Sequence, residues 1–294
     1  MNIISPQIEA KEITVAFGNT KALDQFSCQL EANHIYGLLG RNGAGKSTLL
    51  RLITAQLFAN QGEMLIGGEP VHNNLKQLSK VCYVSDNPDF GGLKRVKDVL
   101  DIERRLHANW DETLAKDLLA RFELDGNRKV KGFSRGMQTA LSLVCGLASQ
   151  AEITIFDEPS LGLDAVIRER FYDALIDSYE KNPRTIVIST HLIDEVSRVI
   201  EKAIIINHGK LILQRDAVDL MRDGVDIIGA EEAVSQETKG LNILRKENFM
   251  GQTTYSVLMD EDSHKFSPAV QVRPIALQRL FVLLTEKEEG MAGE

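Results

Sequence analysis

The stretch GRNGAGKS, from Gly40 to Ser47, constrains the fold of this chain more than any other feature of its 294 residues. It fits the pattern G-x-x-x-x-G-K-[ST] in full, follows the apolar run NHIYGLLG and leads into KSTLLRLITAQL, whose spacing is typical of a helix. Glycines let backbone N–H groups turn inward around phosphate oxygens, and a helix N-terminus adds partial positive charge there. The sequence therefore predicts a strand, a phosphate-binding loop and a helix in succession.

This loop assigns separate tasks to its residues. Lys46 is expected to reach the outer phosphates, and the Ser47 hydroxyl is expected to ligate Mg²⁺. The residues predicted to bind the nucleotide in this region are Gly40, Asn42, Gly43, Ala44, Gly45, Lys46, Ser47 and Thr48. A chance glycine-rich turn is the alternative, but the flanking strand and helix are the context that the motif requires.

A phosphate loop of this kind also needs a carboxylate that helps to hold the metal ion, and EITIFDEP supplies one. Asp157 ends an apolar strand-like run, so it is predicted to hold Mg²⁺, directly or through water. Glu158 follows it and is predicted to polarise the attacking water as a general base. For the tripeptide DEP alone, an exposed turn is the alternative interpretation.

Strand-like and helical runs alternate along most of the chain, which predicts an α/β fold with a mostly parallel sheet. The later runs are EITIFDEP, a helix from about Ala165 to Glu180, RTIVIST, a helix after His191, and KAIIIN. From about Phe90 to Leu124 the pattern is helical and polar-faced, which indicates a helical insertion. Residues 225–294 read as a βα-like start, a hairpin-like stretch and an amphipathic helix, and are predicted to form a small α+β appendage.

Charge and cysteine usage exclude several other classes of protein. The net charge of −8 disfavours a broad electrostatic grip on nucleic acid. The cysteines Cys28, Cys82 and Cys145 are odd in number and lie far apart, so we expect reduced thiols rather than a disulfide framework or a zinc site. The N-terminal MNIISPQIEAKE is unlike a signal peptide. No stretch approaches the ~20 apolar residues of a membrane helix, so no membrane span is expected.

Four motifs, GRNGAGKST, FSRGMQ, ITIFDEPSLGLD and STH, occur in that order. Together they resemble the nucleotide-binding subunit of an ABC transporter, over about residues 7–222. The most specific part is the block from Phe133 to Asp164, in which an LSGGQ-like segment precedes the metal aspartate. The resemblance implies a P-loop NTPase fold of the ABC type at residues 1–222, with a helical subdomain at about 88–150. Residues 225–294 would be an accessory domain.

The resemblance also implies roles for residues outside the phosphate loop. Ser134 and Gly136 match the family's signature segment, so they would contact the γ-phosphate of ATP bound to another subunit. Asp164 ends SLGLD, which matches the segment that crosses the dimer interface in this family. His191 matches the switch histidine and would hydrogen-bond the γ-phosphate. The implied cofactors are ATP and Mg²⁺, and the implied catalytic residues are Lys46, Glu158 and His191.

Three positions depart from the family pattern. Phe17 stands where tyrosine usually stacks on adenine, and a phenylalanine can still stack there; a core phenylalanine is the alternative. Arg135 replaces the first glycine of the signature segment. Asp86 replaces the glutamine that ends the family's strand, so we expect it to bind Mg²⁺ or to orient water, with a charge that glutamine lacks.

The leading hypothesis is an ATPase that powers a separately encoded membrane permease, in the direction of export. Two subunits, identical or paralogous, would close head to tail around two ATP molecules and open on hydrolysis. The chain would lie in the cytoplasm at the inner face of the membrane, with its permease docked mainly on residues 88–125. One alternative is a non-transport ABC ATPase acting on ribosomes or DNA. Another is a regulatory ATPase whose residues 225–294 sense a ligand.

Overall fold

The computed structural model describes residues 7–90, 92, 94–259 and 266–291. The first six residues, which belong to the N-terminal stretch judged unlike a signal peptide, lie outside this part. The chain divides into two compact units. The first unit contains Met1–His191 and Ile206–Leu211, and the second contains Leu192–Ile205 and Ile212–Glu294. The functional boundary between residues 222 and 225 stays a prediction.

Strands and helices both occur among the elements up to His191. They are β1 (Ile8–Phe17), β2 (Thr20–Leu30), β3 (Ile35–Leu39), α1 (Lys46–Ile53), β4 (Gln61–Ile66), β5 (Glu69–Pro70), α2 (Leu75–Leu78), β6 (Val81–Val84), α3 (Val96–Leu106), α4 (Glu112–Arg121), a short 3-10 helix (Val130–Gly132), α5 (Arg135–Ala148), β7 (Ile153–Asp157), α6 (Ala165–Lys181) and β8 (Thr185–Thr190).

The remaining elements follow His191. They are α7 (Ile193–Val196), β9 (Lys202–Asn207), β10 (Lys210–Asp216), α8 (Ala217–Asp223), β11 (Gly224–Gly229), α9 (Glu231–Glu237), β12 (Asn242–Phe249), β13 (Gln252–Leu258), β14 (Val270–Pro274) and α10 (Leu277–Met291). The helix predicted after His191 is therefore only a single turn. No helix in the described ranges has both the length and the apolar character needed to cross a membrane.

Parallel strands form the centre of the first unit, in the order β3-β8-β7-β6. Every residue of β3, β7 and β8 is buried, which is typical of parallel strands covered on both faces. Leu39 pairs with Thr190, and Asp157 pairs with Ser189. The carboxyl ends of β3, β7 and β8 therefore meet at one edge. The predicted α/β fold with a parallel sheet is confirmed.

A second sheet in the first unit is antiparallel, with the order β2-β1-β4-β5. The alternation of strands and helices did not indicate that these strands form a sheet of their own. Ile8 pairs with Leu30 of β2 on one side and with Ile66 of β4 on the other. This sheet carries Phe17 at the end of β1.

The predicted helical insertion is present between β6 and β7. In α3 the buried side chains are Val96 and Val99, and in α4 they are Ala115 and Leu118. Asp111 caps α4 by accepting a hydrogen bond from the N–H of Leu114 at 2.9 Å. The insertion leads into α5, a mostly buried helix that packs beside α4.

The second unit is built on an antiparallel sheet with the order β12-β13-β11-β14. Its core consists of Val225, Ile227, Val234, Tyr255 and Val257. The βα-like start, the hairpin and the final helix are where the sequence predicted them. Strand β14 was missed, because VQVRP is short, largely exposed and ends in proline, so it has little of the apolar signal of a buried strand.

Candidate functional site

The phosphate loop depends on glycines at points where a side chain would collide with the backbone. Gly45 precedes α1 with φ +110°, and a Cβ there would lie 2.6 Å from the carbonyl oxygen of Ala22. A Cβ on Gly40 would lie 2.8 Å from the carbonyl oxygen of Ile206. Any larger residue would therefore displace the loop, which explains why the motif needs glycine at both positions.

Lys46 is the first residue of α1, and its ammonium group is held over the loop. Its Nζ donates to the carbonyl oxygens of Gly40 at 2.7 Å and Arg41 at 3.3 Å. The same atom lies 3.6 Å from Oε1 of Glu158. Burial lowers the pKa of Lys46, and the nearby carboxylate of Glu158 opposes this shift. One cation is thus placed between the loop and the end of β7.

Asp157 ends β7 and is almost fully buried, with 3% of its surface exposed. Its Oδ2 accepts a hydrogen bond of 3.1 Å from the hydroxyl of Tyr83 on β6. Its Oδ1 is buried and has no hydrogen-bond partner in the part of the chain that the structure describes. Burial raises the pKa of Asp157. Burial also raises the pKa of Tyr83, and the Asp157 charge adds to that shift, so the phenol stays a donor.

Glu158 has a left-handed backbone conformation, with φ +49°. For a residue other than glycine this costs about 1–2 kcal/mol, so the surrounding contacts must stabilise it. Oε2 of Glu158 accepts a hydrogen bond of 3.2 Å from the Thr190 hydroxyl and lies 2.9 Å from Nδ1 of His191. Thr190 ends β8, and His191 follows it directly. The carboxylate is therefore clamped between Lys46 on one side and His191 on the other.

These groups meet at a cavity of about 560 Å³. Its lining contains Phe17, Ala22, Arg41, Asn42, Gly43, Gly45, Lys46, Ser47, Thr48, Asp86, Glu158, Leu161 and His191. Most of the residues predicted from the sequence are thus brought together. Gly40, Ala44 and Asp157 are buried and are absent from the lining. The amide of Ala44 is already used, because it donates to the carbonyl of Arg41 at 3.1 Å.

Two of the residues that depart from the family pattern also line this cavity. Phe17 is 54% exposed, so it is a surface ring on the cavity rather than a core residue. Asp86 is exposed, and its Oδ1 accepts a hydrogen bond of 3.2 Å from the Ser85 hydroxyl. Both positions leave the side chain accessible to a ligand.

The residues of the signature segment lie elsewhere, around a separate cavity of about 330 Å³ that includes Ser134, Gly136 and Asp164. Ser134 caps α5, because its Oγ accepts from the N–H of Met137 at 3.3 Å. A Cβ on Gly136 would lie 2.5 Å from the carbonyl oxygen of Gly162, so only glycine permits this approach. Among the described residues, this cavity and the cavity at the phosphate loop have no lining residue in common.

Asp164 has a local structural task. Its Oδ1 accepts hydrogen bonds from the N–H groups of Val166 and Ile167, both at 2.9 Å, and so caps α6. Nucleotide binding by Asp164 stays a prediction.

Sequence reasoning missed two contributors to the site. Thr190 directly precedes His191 in the STH motif, so the motif that identified His191 could also have identified Thr190. Tyr83 lies inside an ordinary strand, and no pattern in the sequence marks it. Its hydroxyl reaches Asp157 only because β6 lies beside β7, with Tyr83 opposite Ile155.

Comparison with known proteins adds independent information. Residues 23–161 match the family described as ABC transporter. The chain is 27% identical to the ABC transporter ATP-binding protein YtrB of Bacillus subtilis (strain 168), over 94% of this chain and 97% of that protein. It is 29% identical to the Nod factor export ATP-binding protein I of Sinorhizobium fredii, over 96% of this chain and 86% of that protein.

A similar fold occurs in a solved structure. The dimeric ATP-binding cassette MJ0796, in a post-hydrolysis state bound to ADP and Pi, superposes with a TM-score of 0.62 at 20% identity. The match covers 71% of this chain and 98% of that one. At this identity the likeness concerns the fold.

Proposed function

This chain belongs to the family of ABC transporter ATP-binding proteins and is an ATPase of that family, and from this premise we propose that it powers a separately encoded permease that exports its substrate. The observation that carries the ATPase chemistry is the clamp on Glu158. Its carboxylate lies on the nucleotide cavity, between the Lys46 ammonium and the His191 ring.

In the reaction, Lys46 binds the outer phosphates and stabilises the negative charge that develops there. Glu158 orients the attacking water and accepts its proton. His191 holds Glu158 through Nδ1, which leaves the rest of the ring available to the γ-phosphate. Phe17 offers its exposed ring to the adenine base.

The donor set at the end of β7 suits a divalent cation. Asp157 Oδ1 is a buried carboxylate oxygen without a protein partner among the described residues, and hard cations such as Mg²⁺ prefer oxygen ligands. Asp157 and Ser47 would hold the ion, and Asp86 is a further candidate from the same cavity. When bound, Mg²⁺ would supply positive charge that offsets the negative charge of the phosphates.

The separation of the two cavities supports a head-to-tail dimer. The signature residues Ser134 and Gly136 surround a cavity that contains none of the phosphate-loop residues. A nucleotide on the phosphate loop therefore obtains signature contacts only from a second subunit. The MJ0796 cassette, which has a similar fold, was solved as a dimer bound to ADP and Pi.

Export is proposed because the Nod factor export protein matches 96% of this chain, including the second unit. The permease would dock mainly on residues 88–125, where α3 and α4 are largely exposed and α3 presents the apolar side chains of Ile102 and Leu106. The chain would then lie on the inner face of the membrane through its permease.

The test uses Glu158→Gln, which keeps the shape of the side chain but removes the base. Light scattering should show an ATP-dependent shift from monomer to dimer, and phosphate release should stop. ATP binding without dimerisation would exclude a homodimer and favour a paralogous partner. Normal turnover would remove Glu158 from the role of base.

The partnership needs a second test. The tagged protein is purified from detergent-solubilised membranes of its source cells, and ATPase activity is measured with and without the membrane protein that accompanies it. Stimulation by a permease supports transport. Co-purification with ribosomes or DNA instead would support the non-transport alternative.

A further inference from the structure

The hydroxyl of Tyr83 donates a hydrogen bond to Asp157 from a neighbouring strand. Tyr83 lies on β6 opposite Ile155 of β7, and its hydroxyl donates to Oδ2 of Asp157 at 3.1 Å. The second oxygen, Oδ1, is buried without a hydrogen-bond partner in the same described part. One oxygen of Asp157 is thus occupied, while the other is left for a ligand.

The torsion of an aspartate carboxylate is broad and roughly two-fold, so an unrestrained carboxylate can turn either oxygen toward a cation. A hydrogen bond to Oδ2 removes this freedom. Partners of this kind, bonded to the ligating side chain rather than to the ion, typically change metal affinity by about 10–100-fold. The Tyr83 hydroxyl therefore has the position and the chemistry to control how Asp157 meets an ion.

We propose that Tyr83 is a positioning residue of the nucleotide site, whose hydroxyl holds Asp157 Oδ2 so that Oδ1 stays directed at the divalent cation. The inference rests on the proposed function, in which Asp157 holds the Mg²⁺ that accompanies ATP. Tyr83 does not line the nucleotide cavity, so in this proposal it acts only through Asp157.

Polar side chains continue from Tyr83 toward the position where the family has glutamine. The Ser85 hydroxyl donates to Asp86 at 3.2 Å. The carboxyl end of β6 thus presents Tyr83 to the metal carboxylate, while Ser85, two residues further along, bonds to Asp86. Loss of the Tyr83 hydroxyl would therefore affect Asp157 directly.

The test compares Tyr83→Phe with the wild-type protein and with Tyr36→Phe, a matched removal of a buried hydroxyl. Tyr36 lies on β3, and its hydroxyl accepts a hydrogen bond of 2.7 Å from the N–H of Glu31. Mn²⁺ serves as the probe, because the electron paramagnetic resonance signal of the free ion falls on binding. Each protein is titrated with Mn²⁺ at one fixed ADP concentration, where no turnover occurs, and the same titration of ADP without protein is subtracted because free ADP also binds Mn²⁺.

We expect Tyr83→Phe to weaken Mn²⁺ binding by about 10-fold, in line with the effect of other partners of metal-binding side chains. The Mn²⁺ affinity of Tyr36→Phe should stay within about 2-fold of wild type, because the Tyr36 hydroxyl is not bonded to a metal-binding side chain. ADP binding in EDTA should be equal in all three, which shows that the phosphate loop is intact. Should Tyr83→Phe fail this control, Tyr83→Met replaces it, since methionine fills irregular space without a donor.

Two different results would contradict the role of Tyr83 and the metal site at Asp157, and the two results can be told apart. Equal Mn²⁺ affinity in Tyr83→Phe and Tyr36→Phe would overturn the role of Tyr83 while leaving the ATPase site intact. If wild type itself binds no Mn²⁺ with ADP, the proposed metal site at Asp157 fails, and the role of Tyr83 fails with it.

Discussion

Nδ1 of His191 lies 2.9 Å from Oε2 of Glu158, although the two residues are 33 positions apart. Their strands, β7 and β8, are parallel neighbours, so the residues that follow them emerge at the same edge of the sheet. The histidine therefore fixes the carboxylate from the side opposite Lys46. His191 therefore helps to hold the proposed catalytic base in position.

Replacing His191 with alanine should lower kcat for ATP hydrolysis by roughly 10²-fold, because Glu158 loses the group that orients it. KM for ATP should change less, since the phosphate loop is untouched. Steady-state phosphate release measures both constants. His72→Ala is the control, because His72 stacks on Phe58 at a ring distance of 4.0 Å and is absent from the cavity lining. Equal kcat in the two variants would contradict the assignment.

Replacing Lys46 with alanine should weaken ATP binding by more than about 10-fold, because hydrogen bonds to a charged group contribute ~1.5–3 kcal/mol. Binding of a fluorescent ATP analogue measures the effect. Lys21→Ala removes a comparable charge from an exposed lysine that pairs with Asp24 at 2.7 Å, and it should bind ATP normally. Full affinity in Lys46→Ala would exclude the phosphate-loop role.

Replacing Phe17 with alanine should weaken ATP binding by roughly 10-fold, since stacking of a base on an aromatic ring is worth about 1–3 kcal/mol. Phe17→Tyr should restore it, because the ring is kept. Phe58→Ala is the matched control, since Phe58 is also exposed, at 67%, but does not line the cavity. Calorimetric titration with ATP compares the three. If tripolyphosphate binding falls as much as ATP binding, the ring does not act on the base.

Replacing Gly136 with alanine should block ATP-dependent dimerisation, because the new Cβ would lie 2.5 Å from the Gly162 carbonyl oxygen and displace the signature segment. A collision of this kind costs about 1–3 kcal/mol of stability. Gly132→Ala is the control three residues from the start of α5, since a Cβ there meets nothing within 4 Å. Light scattering in the Glu158→Gln background gives the oligomeric state.

In this design, ATP binding to the monomer reports whether each glycine variant retains an intact phosphate loop. A Gly136→Ala protein that binds ATP and dimerises like Gly132→Ala would show that the signature segment tolerates the change. It would then not be the surface that closes on the partner's nucleotide.

The residues of the phosphate loop were predictable because their task is local. Gly40, Gly45 and Lys46 lie within seven positions, and the loop conformation, the helix start and the cation follow from that spacing alone. Asp157 and Glu158 could be predicted equally well, since an apolar strand leads directly into them. The alternation of strands and helices indicated the parallel sheet.

Contacts between distant strands were decided only by the tertiary structure. Tyr83 reaches Asp157, 74 positions away, because β6 lies next to β7. The order of the strands in the sheet cannot be predicted from the residue pattern of either strand. The approach of Gly136 to Gly162 and the separation of the two cavities likewise depend on how α5 packs. The sequence by itself determined which groups bind phosphate, because the residues that supply these groups are neighbours in the chain. Packing decided which distant side chains hold those groups in place, because such contacts arise only when separate elements meet.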